Sequence, residues 1–172
     1  MEEQELADAA EKARRPEQKQ VGITMAVVAV LLAITTMLGH RAHTEEVLLQ
    51  TRTNDQWDYY QAKNNRSEMY AADAKLALLM TAEGQSVAAE FTKQAEQQKT
   101  GTEDVRQSAE KLEEETRIEA KRASYFDLGE VCLEATIVLC SITLLSGSLF
   151  YWKISFVSTA IGLLLSMIAL TR

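Results

Sequence analysis

Cysteine is nearly absent, with only Cys132 and Cys140 in 172 residues. They stand eight positions apart inside an apolar block, on one helix face. That spacing supports no disulfide framework, no CxxC redox pair and no zinc knuckle, and two buried small apolar side chains account for both. Clustered positive charge is absent too. The formal net charge is -7, and from Arg41 to Asp127 there are 12 Lys or Arg against 17 Asp or Glu, leaving that region at -5. Such a dispersed acidic surface argues against nucleic acid as a partner. There is also no P-loop, dinucleotide fingerprint, HExxH, nucleophile elbow or paired catalytic constellation, so no enzymatic activity and no cofactor are expected.

What is abundant is apolar sequence without charge. Hydrophobic residues make up 47% of the chain and charged residues 25%, and the two kinds are segregated. Uncharged windows at 20–40, 135–152 and 154–171 each meet the length needed to cross a hydrocarbon core of about 30 Å at about 1.5 Å rise per residue. The expected organisation is a polar N-terminal head over 1–19, transmembrane helix 1 over 20–40, an extramembrane helical hairpin over 41–128 with its turn near 83–86, transmembrane helix 2 over 129–147, and transmembrane helix 3 over 149–170. The fold class is thus an all-α membrane protein with a long antiparallel, coiled-coil-like hairpin between the first and second of three transmembrane helices. No small-x-small cleavage site follows Leu38, so the first span is expected to be an uncleaved anchor.

The head carries the only proline, Pro16, and is expected to be exposed. Lys12, Arg14, Arg15 and Lys19 before the first span, with Lys153 after the second, favour a cytoplasmic N-terminus. Arg41, Arg52, Arg117, Lys121, Arg122 and Arg172 count the other way. Glycines punctuate the chain: Gly39 is expected to close the first span, Gly84 to mark the hairpin turn, Gly129 to open the second span and Gly147 to close it. Arms of nearly equal length on either side of Gly84 would each reach roughly 60 Å from the membrane.

Two heptad stripes run through these arms. The outgoing one passes through Gly22, Ala26, Ala29, Ala33, Thr36, His40, His43, Val47, Gln50, Asn54, Trp57, Gln61, Asn64, Glu68, Ala71, Lys75 and Leu78. The returning one passes through Ala88, Phe91, Ala95, Gln98, Thr102, Val105, Ala109, Leu112, Thr116, Glu119, Ala123 and Phe126, with a break expected at Thr100-Gly101-Thr102. Both are too polar to bury much apolar area alone, so association with copies of the chain or with another membrane subunit is expected. Gly22, Ala26, Ala29 and Ala33, and Ser158, Gly162 and Ser166 on the third span, are small-residue faces suited to helix packing. Phe150, Tyr151, Trp152 and Phe156 around Lys153 form an interfacial belt in contact with the lipid bilayer.

Gly39-His40-Arg41-Ala42-His43-Thr44-Glu45, and Asn54-Asp55-Gln56-Trp57 followed by Tyr59-Tyr60-Gln61-Ala62-Lys63, resemble an uncharacterised family of small bacterial membrane proteins, catalogued as domain of unknown function number four-three-three-seven. The resemblance covers essentially the whole chain. It implies a bacterial inner-membrane protein and implies no activity.

Three groups could carry function. His40, His43 and Glu130, with Asp127 and Glu134 nearby, could bind a divalent metal such as Zn²⁺; alternatively Arg41 pairs with Glu130 and the charges mark the interface. Glu134 is an intramembrane acid, with Thr35 and Thr36 at comparable depth to share a hydrogen bond, and serves either helix adhesion or an ion or proton path. Trp57 and Tyr60, with Tyr59, form either a packing cluster or a partner contact. The leading expectation is a self-associating structural or accessory membrane subunit, with a conducting homo-oligomer and a metal-responsive sensor at His40 and His43 as alternatives. The N-terminus is expected in the cytoplasm and the hairpin in the periplasm.

Overall fold

The computed structural model describes residues 16–80 and 84–171, and all of its regular structure is helical. Helix α1 spans Pro16–Met80, α2 Gly84–Lys99, α3 Thr102–Ser146 and α4 Leu149–Thr171. Three helices, α1, α3 and α4, contain stretches long and apolar enough to cross a membrane. The expected head lies outside the described residues up to position 15, as do the first residue of the expected turn at 83 and Arg172. The chain divides into two compact units, one built from residues up to Thr44 and from Glu119 onward, the other from Glu45 to Ile118.

In the first unit, helix α3 lies against both α1 and α4. Ser141 and Met25 meet at 4.0 Å, Thr36 and Glu130 at 2.8 Å, and His43 and Asp127 at 3.1 Å. Partner numbers on α3 therefore fall as those on α1 rise. At the polar end Phe126 is buried with Ala42, Ala123 and Ala169, flanked by Leu38 and Tyr125. Large apolar side chains such as Ile23, Val27, Val30 and Ile34 stay exposed on the outer face of α1, as expected of helices solvated by lipid.

Gly39 and Gly129, expected at span boundaries, each lie inside a helix, where they admit a neighbour. A Cβ on Gly39 would stand 3.3 Å from the Cβ of Phe126, and one on Gly129 would stand 2.6 Å from Ser166 Oγ and 3.0 Å from the Gly162 carbonyl oxygen. Gly147 and Gly101 do sit between helices, at φ 69° and 73°. Both occupy the left-handed region that costs an L-residue a Cβ clash. The break at Gly101 divides α2 from α3, as its flanking threonines led one to expect.

In the second unit the contacts again run in opposite numerical order. Thr53 Oγ1 and Thr116 Oγ1 lie 3.1 Å apart, Lys63 Nζ donates to the Thr100 carbonyl at 2.9 Å, and Ser67 Oγ donates to the Ala95 carbonyl at 3.0 Å. Tyr70 and Phe91 stack with centroids 6.2 Å apart. Contacts are made by small and polar side chains, with Ala74, Ala88, Ala95 and Ala109 the buried apolar ones. Ion pairs on the outer surface of α3, Arg106 with Glu103 and Glu110 and Arg117 with Glu114, are exposed.

The heptad on the returning arm has the phase read from sequence. Each of its twelve positions, from Ala88 to Phe126, is buried or half-buried. The outgoing heptad is displaced by one residue. The covered face of α1 is Val21, Met25, Val28, Leu32, Thr35, Gly39 and Ala42, continuing as Glu46, Leu49, Thr53, Gln56, Tyr60, Lys63, Ser67, Tyr70, Ala74 and Ala77. One residue turns the helix by about 100°. Gly22, Ala26, Ala29, Ala33 and His40, and most positions of that stripe beyond Thr44, are consequently exposed.

Candidate functional site

The polar end of the first unit gathers the side chains that sequence singled out. α1 brings Thr36, His40, Arg41 and His43 to this level, and the 3.6-residue period of α3 sets Asp127, Glu130 and Glu134 along one side of that helix. Thr36 Oγ1 donates to Glu130 Oε1 at 2.8 Å, and this corrects the assignment of the threonine to Glu134. The bond gives the half-buried Glu130 a donor in place of the water that fuller exposure would supply. His43 Nε2 lies 3.1 Å from both Asp127 oxygens, so a proton on that nitrogen is shared between them.

These contacts split the expected metal set. Glu130 faces Thr36, His43 faces Asp127, and His40 is exposed. Among the described residues no group of three or more His, Cys, Asp or Glu side chains is arranged to hold a metal ion. The alternative pairing of Arg41 with Glu130 is not formed either. Arg41 is exposed and has no ion-pair partner among the described residues, and the same holds for Glu134.

A basic side chain that sequence reasoning left aside supports the same end. Arg122 Nε donates to the Ala169 carbonyl at 3.2 Å, and its Nη1 lies 3.4 Å from Glu119 Oε2. The last carbonyls of a helix have no partner within it, so Arg122 satisfies one at the end of α4 while Glu119 holds the guanidinium. Its signal in sequence was the Glu119–Arg122 spacing of three on a helix.

The α3–α4 contact is a ladder of hydroxyls over glycine. Ser158 Oγ donates to the Cys132 carbonyl at 2.7 Å, Thr136 Oγ1 to the Ser155 carbonyl at 3.3 Å, and Thr159 Oγ1 to Thr136 Oγ1 at 3.2 Å. Gly162 meets Gly129 across the helices, and Ser166 lies beside it. The Ser158, Gly162 and Ser166 face is thereby taken up within the chain. Cys140 is buried with its Sγ 3.6 Å from Ser155 Oγ, and Cys132 is half-buried. Of the aromatic belt, Trp152 Nε1 donates to Thr24 Oγ1 at 3.3 Å and its ring meets Phe156 edge-on.

The exposed face of α1 forms a groove of about 710 Å³ floored by Ala29 and Ala33 and bounded by Leu32, Met37, His40 and Arg41. Ala29, Leu32, Ala33 and Met37 make its apolar part, and Thr36, His40, Arg41 and Thr44 make the other end polar, with Arg41 its cation. In the second unit Trp57 and Tyr60 are half-buried and meet edge-on with centroids 5.7 Å apart, while Tyr59 is exposed beneath Lys63 Nζ at 5.8 Å. The larger apolar exposure of that unit lies elsewhere, at Leu76, Met80 and Val87 around a cavity of about 530 Å³, with Leu79 exposed beside Met80 in sequence. Sequence reasoning missed it, although the run Leu76-Ala77-Leu78-Leu79-Met80 was its signal.

No curated protein and no solved structure matches the chain. A family model does, and it takes in α1 almost from its start, the break at Gly101 and all of α3 and α4. By that match over residues 17–172, the chain belongs to the family described as Domain of unknown function (DUF4337).

Proposed function

We propose that this chain is a self-associating structural or accessory subunit of a bacterial inner membrane, spanning it three times, with the N-terminus in the cytoplasm and residues 41–128 forming a periplasmic antiparallel hairpin. The observation that carries the reading is the pair of small-residue faces. Ser158, Gly162 and Ser166 are covered within the chain, whereas Gly22, Ala26, Ala29 and Ala33 are left exposed on α1. Small residues add little by way of lipid contact but let a second helix approach closely. Alongside them Glu134 is exposed within an apolar stretch, and a carboxylate in hydrocarbon is costly until a protein surface covers it. Falling partner numbers along α1 support the hairpin, and Trp57, Tyr60 and the apolar end at Leu79 and Met80 offer contact surfaces for a partner subunit.

The test is native mass spectrometry of the complex extracted gently from its own membrane, with co-purifying proteins identified. A homo-oligomer, or a fixed ratio with another membrane protein, is expected; a lone monomer at native expression would overturn the reading. A conducting oligomer would use the same Glu134. Glu134→Gln separates the two, since lost assembly without prior flux marks adhesion and lost flux with intact assembly marks conduction.

A further inference from the structure

Two opposite charges of the first unit are exposed and have no ion-pair partner among the described residues, Arg41 on α1 and Glu134 on α3. Their levels follow from contacts within the chain. Thr36 meets Glu130 and Met25 meets Ser141, eleven residues along each helix, so the register is constant and Glu134 lies level with Leu32. Leu32 bounds the exposed groove on α1 whose cationic end is Arg41. Copies of one chain in one bilayer sit at one depth. The exposed face of α3 bearing Val131, Glu134 and Val138 therefore lies level with the groove over Ala29 and Ala33 on a neighbouring copy.

The remaining offset is nine residues of α1, roughly 13 Å, about the span of the two side chains fully extended toward each other. Every helical side chain leans toward its own N-terminus. For Arg41 that is toward Met37; for Glu134 it is toward Glu130, which stands level with Thr36. Arg41 therefore extends down the groove and Glu134 up toward it.

We propose that Arg41 of one copy pairs with Glu134 of the next, the Val131–Glu134–Val138 face of α3 seated in the neighbour's α1 groove. The inference rests on the self-association reading and specifies its geometry. The contact joins two different surfaces, so it is heterologous and propagates to a ring or a filament, unlike a two-fold dimer in which the α1 stripes would face each other. A lipid headgroup could answer Arg41 alone but not Glu134, whose covering requires a cation or donor at hydrocarbon depth.

The test uses the full chain in nanodiscs, with Cys132 and Cys140 replaced by alanine. Chains carrying Ala33→Cys are mixed with chains carrying Val131→Cys before assembly and oxidised. Separately, the association of Arg41→Gln, Glu134→Gln and the double variant is measured by native mass spectrometry, with helix content checked by circular dichroism. The mixed chains are expected to cross-link, each single variant to associate about tenfold more weakly, and the double variant to lose no more than either single one. Oligomers that cross-link only between like positions and ignore both glutamine substitutions would overturn this pairing while leaving self-association standing. A parent chain that stays monomeric at every concentration would overturn both.

Discussion

Gly129 and Gly162 set the separation of α3 and α4, because a Cβ on either would stand 2.9 to 3.0 Å from the other's carbonyl oxygen. Gly162→Ala is expected to destabilise the first unit by about 1–3 kcal/mol through overpacking, measured by thermal unfolding in detergent. The nearest atoms to its new methyl are the Gly129 oxygen at 2.9 Å and Leu133 Cγ at 3.1 Å, and the first is backbone that cannot swing away. Gly129→Ala first meets Ser166 Oγ, a side chain that can turn, so Ser166→Ala is expected to recover part of its cost and to recover nothing for a variant on another helix face. Thr36→Val tests the polar end in the same assay. Leaving Glu130 without its donor is expected to cost about 1 kcal/mol, whereas Glu130→Gln, which still accepts from Thr36 through its amide oxygen, is expected to be nearly neutral. At this scale sequence could place Thr36 beside the acids of α3 but not choose between Glu130 and Glu134. They are one turn apart, and only the register of α1 against α3, set by glycines and Phe126 through contacts across the sequence, separates them.

Among the elements, the boundary between α2 and α3 combines a left-handed glycine with an acidic first turn. Gly101 at φ 73° is expected to lose roughly 1–2 kcal/mol on replacement by alanine, read as earlier unfolding of the second unit. Glu103 in the first turn of α3 accepts hydrogen bonds from Arg106 and then Gln107, which hold its carboxyl below the ordinary value of 4.5. A carboxyl lowered on folding contributes stability above its ordinary value and loses it as pH falls through the lowered one. Protection from hydrogen exchange at the start of α3, taken relative to the intrinsic exchange rate, is therefore expected to fall as pH drops below the ordinary carboxyl value, and Glu103→Gln to remove that dependence. The helices themselves were legible from uncharged windows and from Gly101 and Gly147. The phase of the returning arm was legible too, since its inward positions alternate Ala88, Phe91, Ala95, Ala109 and Phe126 with polar ones. The phase of α1 was not, because the middle of its inward face is Thr53, Gln56, Tyr60, Lys63 and Ser67, while Val47, Ala71 and Leu78 face outward. A pattern rule follows apolar and small residues, and here those belong in large part to the exposed stripe. The inward polar groups are chosen by partners such as Thr116, Thr100 and Ala95, far off in sequence.

For the whole molecule, the question the stripes pose is whether residues 45–118 pair within one chain or between chains, since a seam of threonine, lysine and serine is as regular for either. Thr53 and Thr116 give the place to test it, because their hydroxyl oxygens lie 3.1 Å apart and both residues are buried. Thiols put in their place would stand in position to join, given the short Cβ separation a disulfide needs. In a background with Cys132 and Cys140 replaced by alanine, the double variant Thr53→Cys, Thr116→Cys is expected to oxidise to a monomer of faster mobility on a non-reducing gel. Residues 53 and 116 would then close a loop of the kind whose chain-entropy loss stabilises by about 4 kcal/mol, so the oxidised protein is also expected to unfold at a higher temperature than the reduced one. A disulfide-linked dimer from the same variant would instead assign the seam to contacts between chains. Mixing Thr53→Cys chains with Thr116→Cys chains gives the complementary result: for a hairpin the mixture stays unlinked, because each inward face is already occupied by its own chain. An intramolecular seam leaves the exposed stripe of α1 free for other copies, and this is the arrangement the pairing of Arg41 with Glu134 requires.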